Sequence, residues 1–298
     1  MAAIGGGVGL VLGGRAFRPA PATQVVRTSR ALGAEVTIRT AGLDEPRAVR
    51  AIEAAFAALD EVEQAMSLYR PSSAICRLNA TRRCDSAPAS LLEVLAFAAE
   101  TSSATRGAFD ITVQPLWEVA AKAQRENRTP SAEEIASACE RVDWKAVVVN
   151  GSSVELRAPA SAITLNGIAQ GFAADRALDA LRAHGVEHAL VDTGELRGLG
   201  RKPDGRPWSI GIQHPRESDA YVALAALDGR ALATSGDYAT KFSDDSLRHH
   251  IFDPRTGRSP LELASVTIAA PTAIEADALS TAAMVLGHDA TLDLVRSR

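Results

Sequence analysis

The feature that most constrains this chain is the stretch over residues 231–260, ALATSGDYATKFSDDSLRHHIFDPRTGRSP. It begins as a short apolar strand at residues 231–233. It then breaks into Thr234-Ser235-Gly236-Asp237-Tyr238, small hydrogen-bonding residues around a glycine. Glycine lets the backbone approach a ligand closely, and the hydroxyls bind anionic oxygens. Twelve residues past Tyr238 comes His250, then Asp253-Pro254-Arg255-Thr256-Gly257. Asp253-Pro254 starts a turn, Gly257 closes it, and Arg255 offers a planar fork to a phosphate. Taken singly, each block reads as an ordinary loop. Together they bracket a short hairpin carrying His249 and His250, and the fold must bring a strand end and a turn to one place.

The chain of 298 residues is long enough for one large domain or two fused lobes. A net charge of −4 without a basic stripe argues against a nucleic-acid partner. Cys76, Cys84 and Cys139 form no CxxC pair, so no thiolate metal site of the usual spacing is expected; a Cys76–Cys84 disulfide and free thiols both remain open. No apolar run reaches the length of a transmembrane helix. Residues 1–14, MAAIGGGVGLVLGG, look like the apolar core of an export signal without its positive leader. They are read as a clipped signal or a flexible tail. Residues 1–25 are therefore set apart from one domain over 26–298.

Along that domain, Val36, Ile38 and Thr40 alternate with polar residues as a half-buried strand. Pro46 opens a helix with a core stripe at Val49, Ile52, Phe56, Leu59, Val62 and Met66. A loop over 66–73 holds Tyr69, and a second helix carries Leu91, Leu95 and Ala98. Asp110 lies between apolar neighbours and needs donors if buried. A short helix is expected around Glu133 to Cys139, and a hairpin around Asn150-Gly151. Ile163-Thr164-Leu165 reads as a strand feeding a glycine-flanked turn, in which Gly167 and Gly171 bracket Ala169 and open an alanine-rich helix. Such a turn points backbone amides at an anion, yet it matches neither the phosphate-loop nor the dinucleotide glycine pattern. Strands follow at 190–192 and 208–212, then a hairpin of 222–227 with 230–233 around Asp228-Gly229, and a strand at 266–270. The closing helix, 273–287, places Asp277 and Thr281 four apart on one face. Both offer hard oxygens suited to a magnesium-type cation; a solvated Asp beside a threonine bonded to its own backbone is the rival reading. Strands and helices are interspersed, which predicts an α+β (mixed α/β) fold of two lobes with mixed or antiparallel sheets, helices outside and a cleft between.

At this point several blocks agree in order: MSLYRPSSAICRLN, GAFDITVQPLW, LNGIAQGFAADRALDAL, LVDTGELRGLG, PWSIGIQHP, ATSGDYATKF, HHIFDPRTGRSP, SVTIAA and ADALSTAAMVLG. The chain resembles the ApbE family, the FAD:protein FMN transferases, over almost its whole length. The resemblance implies Mg2+-dependent cleavage of the diphosphate of FAD, held between the lobes. FMN passes through its phosphate to a threonine or serine of an acceptor flavoprotein, and AMP leaves. It implies a cation held by the Ala169 carbonyl, Asp277 and Thr281, with Ser280 adjacent. Leu32, Tyr69, Ala108, Phe109, Asp110, Asn166, Phe172 and Phe252 fall at positions lining the FAD site, and His250 and Asp253 beside the scissile phosphates. Two positions depart from the pattern. Gln170 stands where many members have lysine, and Gly194-Glu195-Leu196 stands where many read Gly-Gly-Asp, so Glu195 receives no role. By analogy with exported members, including those serving nitrous oxide reduction, a periplasmic setting is expected, with membrane proximity only through the acceptor.

Splitting a diphosphate needs charge neutralisation more than covalent work by the protein. His250 or Asp253 is expected to assist the acceptor's proton, and Arg255 to steady the loop or the phosphate; for Asp253, capping the turn is an equal alternative. Two rival functions are an FAD pyrophosphatase, with water as acceptor, and a non-catalytic flavin-binding assembly factor.

Overall fold

Alternation of apolar and polar residues makes the first hairpin. In the computed structural model, which describes residues 24–217 and 219–297, strand β1 (Gln24–Ala31) pairs antiparallel with β2 (Ala34–Ala41). Val36 and Ile38 of β2 point inward and are fully buried. The two-residue turn between the strands uses positive φ at both Leu32 (55°) and Gly33 (77°), the geometry that matches strand twist. The strand β1 begins inside the segment set apart from sequence, whereas the export-signal reading of residues 1–14 lies outside the described residues.

Helix α1 (Glu45–Met66) starts where Asp44 accepts the Arg47 amide at 3.0 Å, a cap contributing about 1 kcal/mol. Its buried face is Ala48, Ala51, Ile52, Ala55, Leu59, Val62 and Met66, with Val49 and Phe56 only half-buried at its edges. The alanines let α1 lie close to its neighbour. Then come α2 (Ala74–Thr81), strand β3 (Arg83–Cys84), α3 (Ala89–Ala104), α4 (Gln114–Arg125), α5 (Ala132–Cys139) and the hairpin β4 (Val147–Asn150) with β5 (Ser153–Leu156). Strands β3, β5 and β4 form one small sheet.

The second half supplies α6 (Ala169–Ala183), β6 (His188–Asp192), β7 (Leu196–Leu199), β8 (Trp208–Gln213), β9 (Tyr221–Leu227), β10 (Ala231–Gly236), β11 (Ser265–Ala270), α7 (Ala273–Leu286) and α8 (His288–Arg296). The main sheet has six antiparallel strands in the order β1-β2-β6-β7-β10-β11. Three helices cover it in register: α1 lies on β1 and β2, α6 on β6 and β7, α7 on β10 and β11. The large core fills this layer, and a second, smaller core joins Leu116, Ala120, Ala138, Phe242 and Phe252 of the other lobe.

Two sequence expectations are corrected here, and one open alternative is decided. Residues 163–165 are extended and buried at Ile163 and Leu165 but join no sheet. The Asn79 side chain accepts the Ile163 amide and donates to the Ile163 carbonyl, both at 2.8 Å, so an amide side chain takes the place of a neighbouring strand. Residues 222–227 and 230–233 do not pair with each other. Instead, β9 pairs with β8 in a separate ribbon, and β10 joins β7 and β11. Of the two cysteine alternatives, free thiols hold: Cys76, Cys84 and Cys139 are all unpaired. Among the described residues, no helix is long and apolar enough to cross a membrane.

Candidate active site

The site is built on the seam between α6 and α7. These helices meet where α6 has glycine. A Cβ placed on Gly167 would stand 2.8 Å from Thr281 Oγ1; one on Gly171 would stand 2.2 Å from the Ala273 carbonyl oxygen and 2.8 Å from Asp277 Cβ. Positions four apart on α6 and its entry thus face positions four apart on α7, in opposite directions. Any side chain would force the helices apart. Ala169 is buried between these two glycines, which lie against Thr281 and Asp277.

Gly171 is near the start of α6, where an amide has no partner within its own helix. It donates to Asp277 Oδ2 at 2.9 Å. Asp277 is 3% exposed, and burial pushes its carboxyl up to about 7. The end of β10 lies against the same face: Ser235 Oγ is 2.8 Å from Ser280 Oγ and 3.3 Å from Thr281 Oγ1. Ser280 is fully buried and donates to the Asp277 carbonyl. Glu195, 7% exposed, enters from the β6–β7 turn and accepts the Thr234 amide at 3.3 Å. Burial first, and the Asp277 charge second, push its carboxyl well above the usual range.

These groups open on a cleft of about 280 Å³. Tyr69, Ala108, Phe109, Asp110, Asn166, His250, Phe252, Asp277 and Thr281 line it, so nine of the residues singled out from sequence converge. Tyr69 is 71% exposed, with one edge of its ring beside Gly33. Asp110 meets its need for donors through the Thr112 amide (2.7 Å), the Thr112 hydroxyl (2.6 Å) and the Trp144 amide (3.3 Å), while burial raises its pKa. His250 Nδ1 is 3.3 Å from the Thr240 carbonyl oxygen; that pairing protonates Nδ1 and leaves Nε2 as a proton acceptor. Burial lowers the His250 pKa.

Five sequence candidates do not line the cleft. Ala169 and Ser280 sit just behind its wall in the seam. Leu32, at the β1–β2 turn, donates its amide to Glu63 Oε1 at 2.7 Å and neighbours Tyr69 through Gly33. Phe172 is buried in the main core, with the Arg176 guanidinium 4.7 Å above its ring. Asp253 spends its carboxylate within its own turn: it accepts the Arg255 amide (2.9 Å), Nε (2.8 Å) and Nη2 (2.9 Å). Arg255 is thereby committed to the loop. A larger groove of about 510 Å³ lies beyond Phe252, walled by Leu116, Ile135, Phe242 and Leu247. Size does not mark the site: the carboxylates Asp110, Glu195 and Asp277 and the imidazole of His250 all line the smaller cleft.

The ApbE family model matches residues 32–298. The chain belongs to the ApbE family. It is 32% identical to the FAD:protein FMN transferase of Escherichia coli K12 over 269 residues, covering 86% of this chain and 76% of that one. It is 34% identical to that of Vibrio cholerae O395 over 243 residues, covering 78% and 72%. The fold matches that of the apo flavinyl transferase ApbE of Pseudomonas stutzeri with a TM-score of 0.80 and 34% identity, over 93% of this chain and 89% of that one. It also matches an ApbE protein of Thermotoga maritima with a TM-score of 0.83 and 32% identity, over 92% of each.

Against the ApbE pattern, the two departures meet in space. Gln170 Nε2 donates to the Thr193 carbonyl at 3.1 Å, and Thr193 Oγ1 returns a bond to the Gln170 carbonyl at 3.0 Å. The residue standing for a lysine therefore holds the turn that carries Glu195. Sequence reasoning gave no role to Gln170 or Glu195, and none to Trp117, yet all three line the cleft. Only contact across α6, α7 and the β6–β7 turn shows Glu195 to be buried beside Asp277.

Proposed function

We propose that the protein transfers FMN from FAD to a threonine or serine hydroxyl of an acceptor flavoprotein and releases AMP, with Mg2+ at the α6–α7 seam. The observation that carries this reading is the charge of the cleft. Its lining includes Asp110, Glu195 and Asp277, and among the described lining residues none is lysine or arginine. A diphosphate cannot enter such a cleft against buried carboxylates unless a cation comes with it. The donors fit a hard divalent ion: the Asp277 carboxylate, the Thr281 hydroxyl and the Ala169 carbonyl, with the Ser280 hydroxyl held behind them by Ser235. Among the described residues no cluster of three His, Cys, Asp or Glu competes as a metal site. Bound there, the ion supplies Lewis-acid charge neutralisation.

The chain's own groups do the rest. His250 Nε2 takes the proton of the acceptor hydroxyl, which its lowered pKa permits at neutral pH. The acceptor oxygen forms its bond to the FMN phosphorus as the bond from that phosphorus to the bridging oxygen breaks, and AMP keeps the bridging oxygen. Asp253 and Arg255 shape the turn that follows His250. The apolar residues 1–14 support a periplasmic setting, where the acceptor would be met near a membrane. The test is incubation with FAD, Mg2+ and a threonine-containing acceptor, read as flavin fluorescence on a denaturing gel. Protein-bound flavin is expected. Free FMN without labelled acceptor would instead identify a pyrophosphatase, and unchanged FAD a binding protein.

A further inference from the structure

Helix α7 begins without a cap of its own. Thr272, at its N-cap, makes no side-chain bond to the first turn. The missing acceptor comes from α6: Asp175 Oδ1 accepts the Ala273 amide at 3.0 Å, and Oδ2 accepts the Ile274 amide at 2.9 Å. One carboxylate thus satisfies two orphan amides and meets the positive end of the helix dipole. Behind it stands Arg197 of β7, buried, with Nε 3.0 Å from Asp175 Oδ1. That contact is a charge contact, poorly aligned for a hydrogen bond, and Arg197 Nη1 is fixed by the Gly229 carbonyl at 2.8 Å.

Position makes this arrangement more than a cap. Asp175 lies one turn beyond Gly171 on α6, and Ala273 lies one turn before Asp277 on α7. The seam therefore has three rungs: Gly167 on Thr281, Gly171 on Asp277, and Asp175 on Ala273 and Ile274. The first is a close approach only, and the second adds a single hydrogen bond from the Gly171 amide to the mobile end of the Asp277 side chain. The third is a directional pair of hydrogen bonds to the α7 backbone itself, and it fixes the axial position of the helix start. We propose that Asp175, backed by Arg197, is a positioning residue that sets the height of α7 on α6 and thereby places the Asp277 carboxylate in the cleft. This rests on the reading of Asp277 as a cation ligand for its consequence in catalysis, but not for its geometry.

The Gly171 amide separates the two. Its acceptor is Asp277 Oδ2, so its hydrogen exchange reports where Asp277 stands, with or without a metal. In Asp175→Ala the Gly171 amide is expected to exchange at least about tenfold faster while the α6 interior stays protected. Mn2+ affinity, measured by electron paramagnetic resonance without FAD, is expected to fall about 10–100-fold, the usual loss when a support of a metal ligand is removed. The fall in kcat should be partly rescued by raised Mg2+, whereas KM for FAD at saturating Mg2+ should change little. If Asp175→Ala does not fold, Asp175→Asn, which keeps one acceptor oxygen, should show the same signs at smaller size. Unchanged Gly171 exchange in either folded variant would overturn the proposal. Failure of the unsubstituted protein to bind Mn2+ would instead reject the cation reading and leave the exchange result to decide this one.

Discussion

The α6–α7 seam and the Asp253–Gly257 turn offer the same chemistry on paper: a carboxylate, hydroxyls and a glycine in close order. In the fold they differ in what remains unspent. Asp253 gives both carboxylate oxygens to Arg255. Asp277 accepts one amide, is buried, and faces another carboxylate rather than a cation. A carboxylate whose acceptors are filled by its own loop is holding the loop. One buried without a cationic partner, at a cost in desolvation, is what the proposed cation site requires.

The comparison breaks or sharpens with four substitutions. Asp277→Ala should have the largest effect, a loss of flavin transfer of about 10³-fold or more with the fold intact, since it removes the carboxylate proposed to hold the cation. Near-native turnover in that variant would end the assignment of the seam. His250→Asn should lower kcat by about 10²–10⁴-fold, the range for a removed general base. The pH profile gives the sign. Burial lowers the His250 pKa, so its acid limb should lie below pH 6.5, with activity rising as the imidazole loses its proton, and His250→Asn should lack that limb. Gly171→Ala should destabilise by about 1–3 kcal/mol because the added methyl meets the Ala273 carbonyl; thermal unfolding reads this, and an unchanged Tm would mean the seam is looser than described. Asp253→Asn should have the smallest effect, about 0.5–1.5 kcal/mol of stability and less than about tenfold in kcat/KM. A hundredfold loss there would make the turn part of the chemistry and erase the contrast.

Legibility from sequence followed periodicity. Helix α1 carries six turns of apolar spacing, and β2 a clean alternation, and both stand where the pattern put them. Most elements passed over are short or lie at the edges: α2 has eight residues, β7 four, and β1 begins in the segment set aside; the exception is α4, which is twelve residues long. The hairpin drawn through Asp228-Gly229 failed for another reason. Turn chemistry fixes where the chain reverses but not which strand it then joins. The inward residues Ala231 and Ala233 of β10 fit under α7, whereas Tyr221, Val222 and Leu224 of β9 stay exposed on the ribbon with β8.

By itself the sequence determined the mixed α+β class, the family, the spacing that puts Asp277 and Thr281 on one helix face, and the glycines that bracket Ala169. These follow from local periods and from motifs whose order is written along the chain. Only the tertiary structure decided that Phe172 belongs to the core, that Asp253 is spent on Arg255, and that Glu195, Gln170 and Asp175 gather around the seam. Burial and the pairing of charges are properties of what arrives from elsewhere in the chain, and no local pattern carries them.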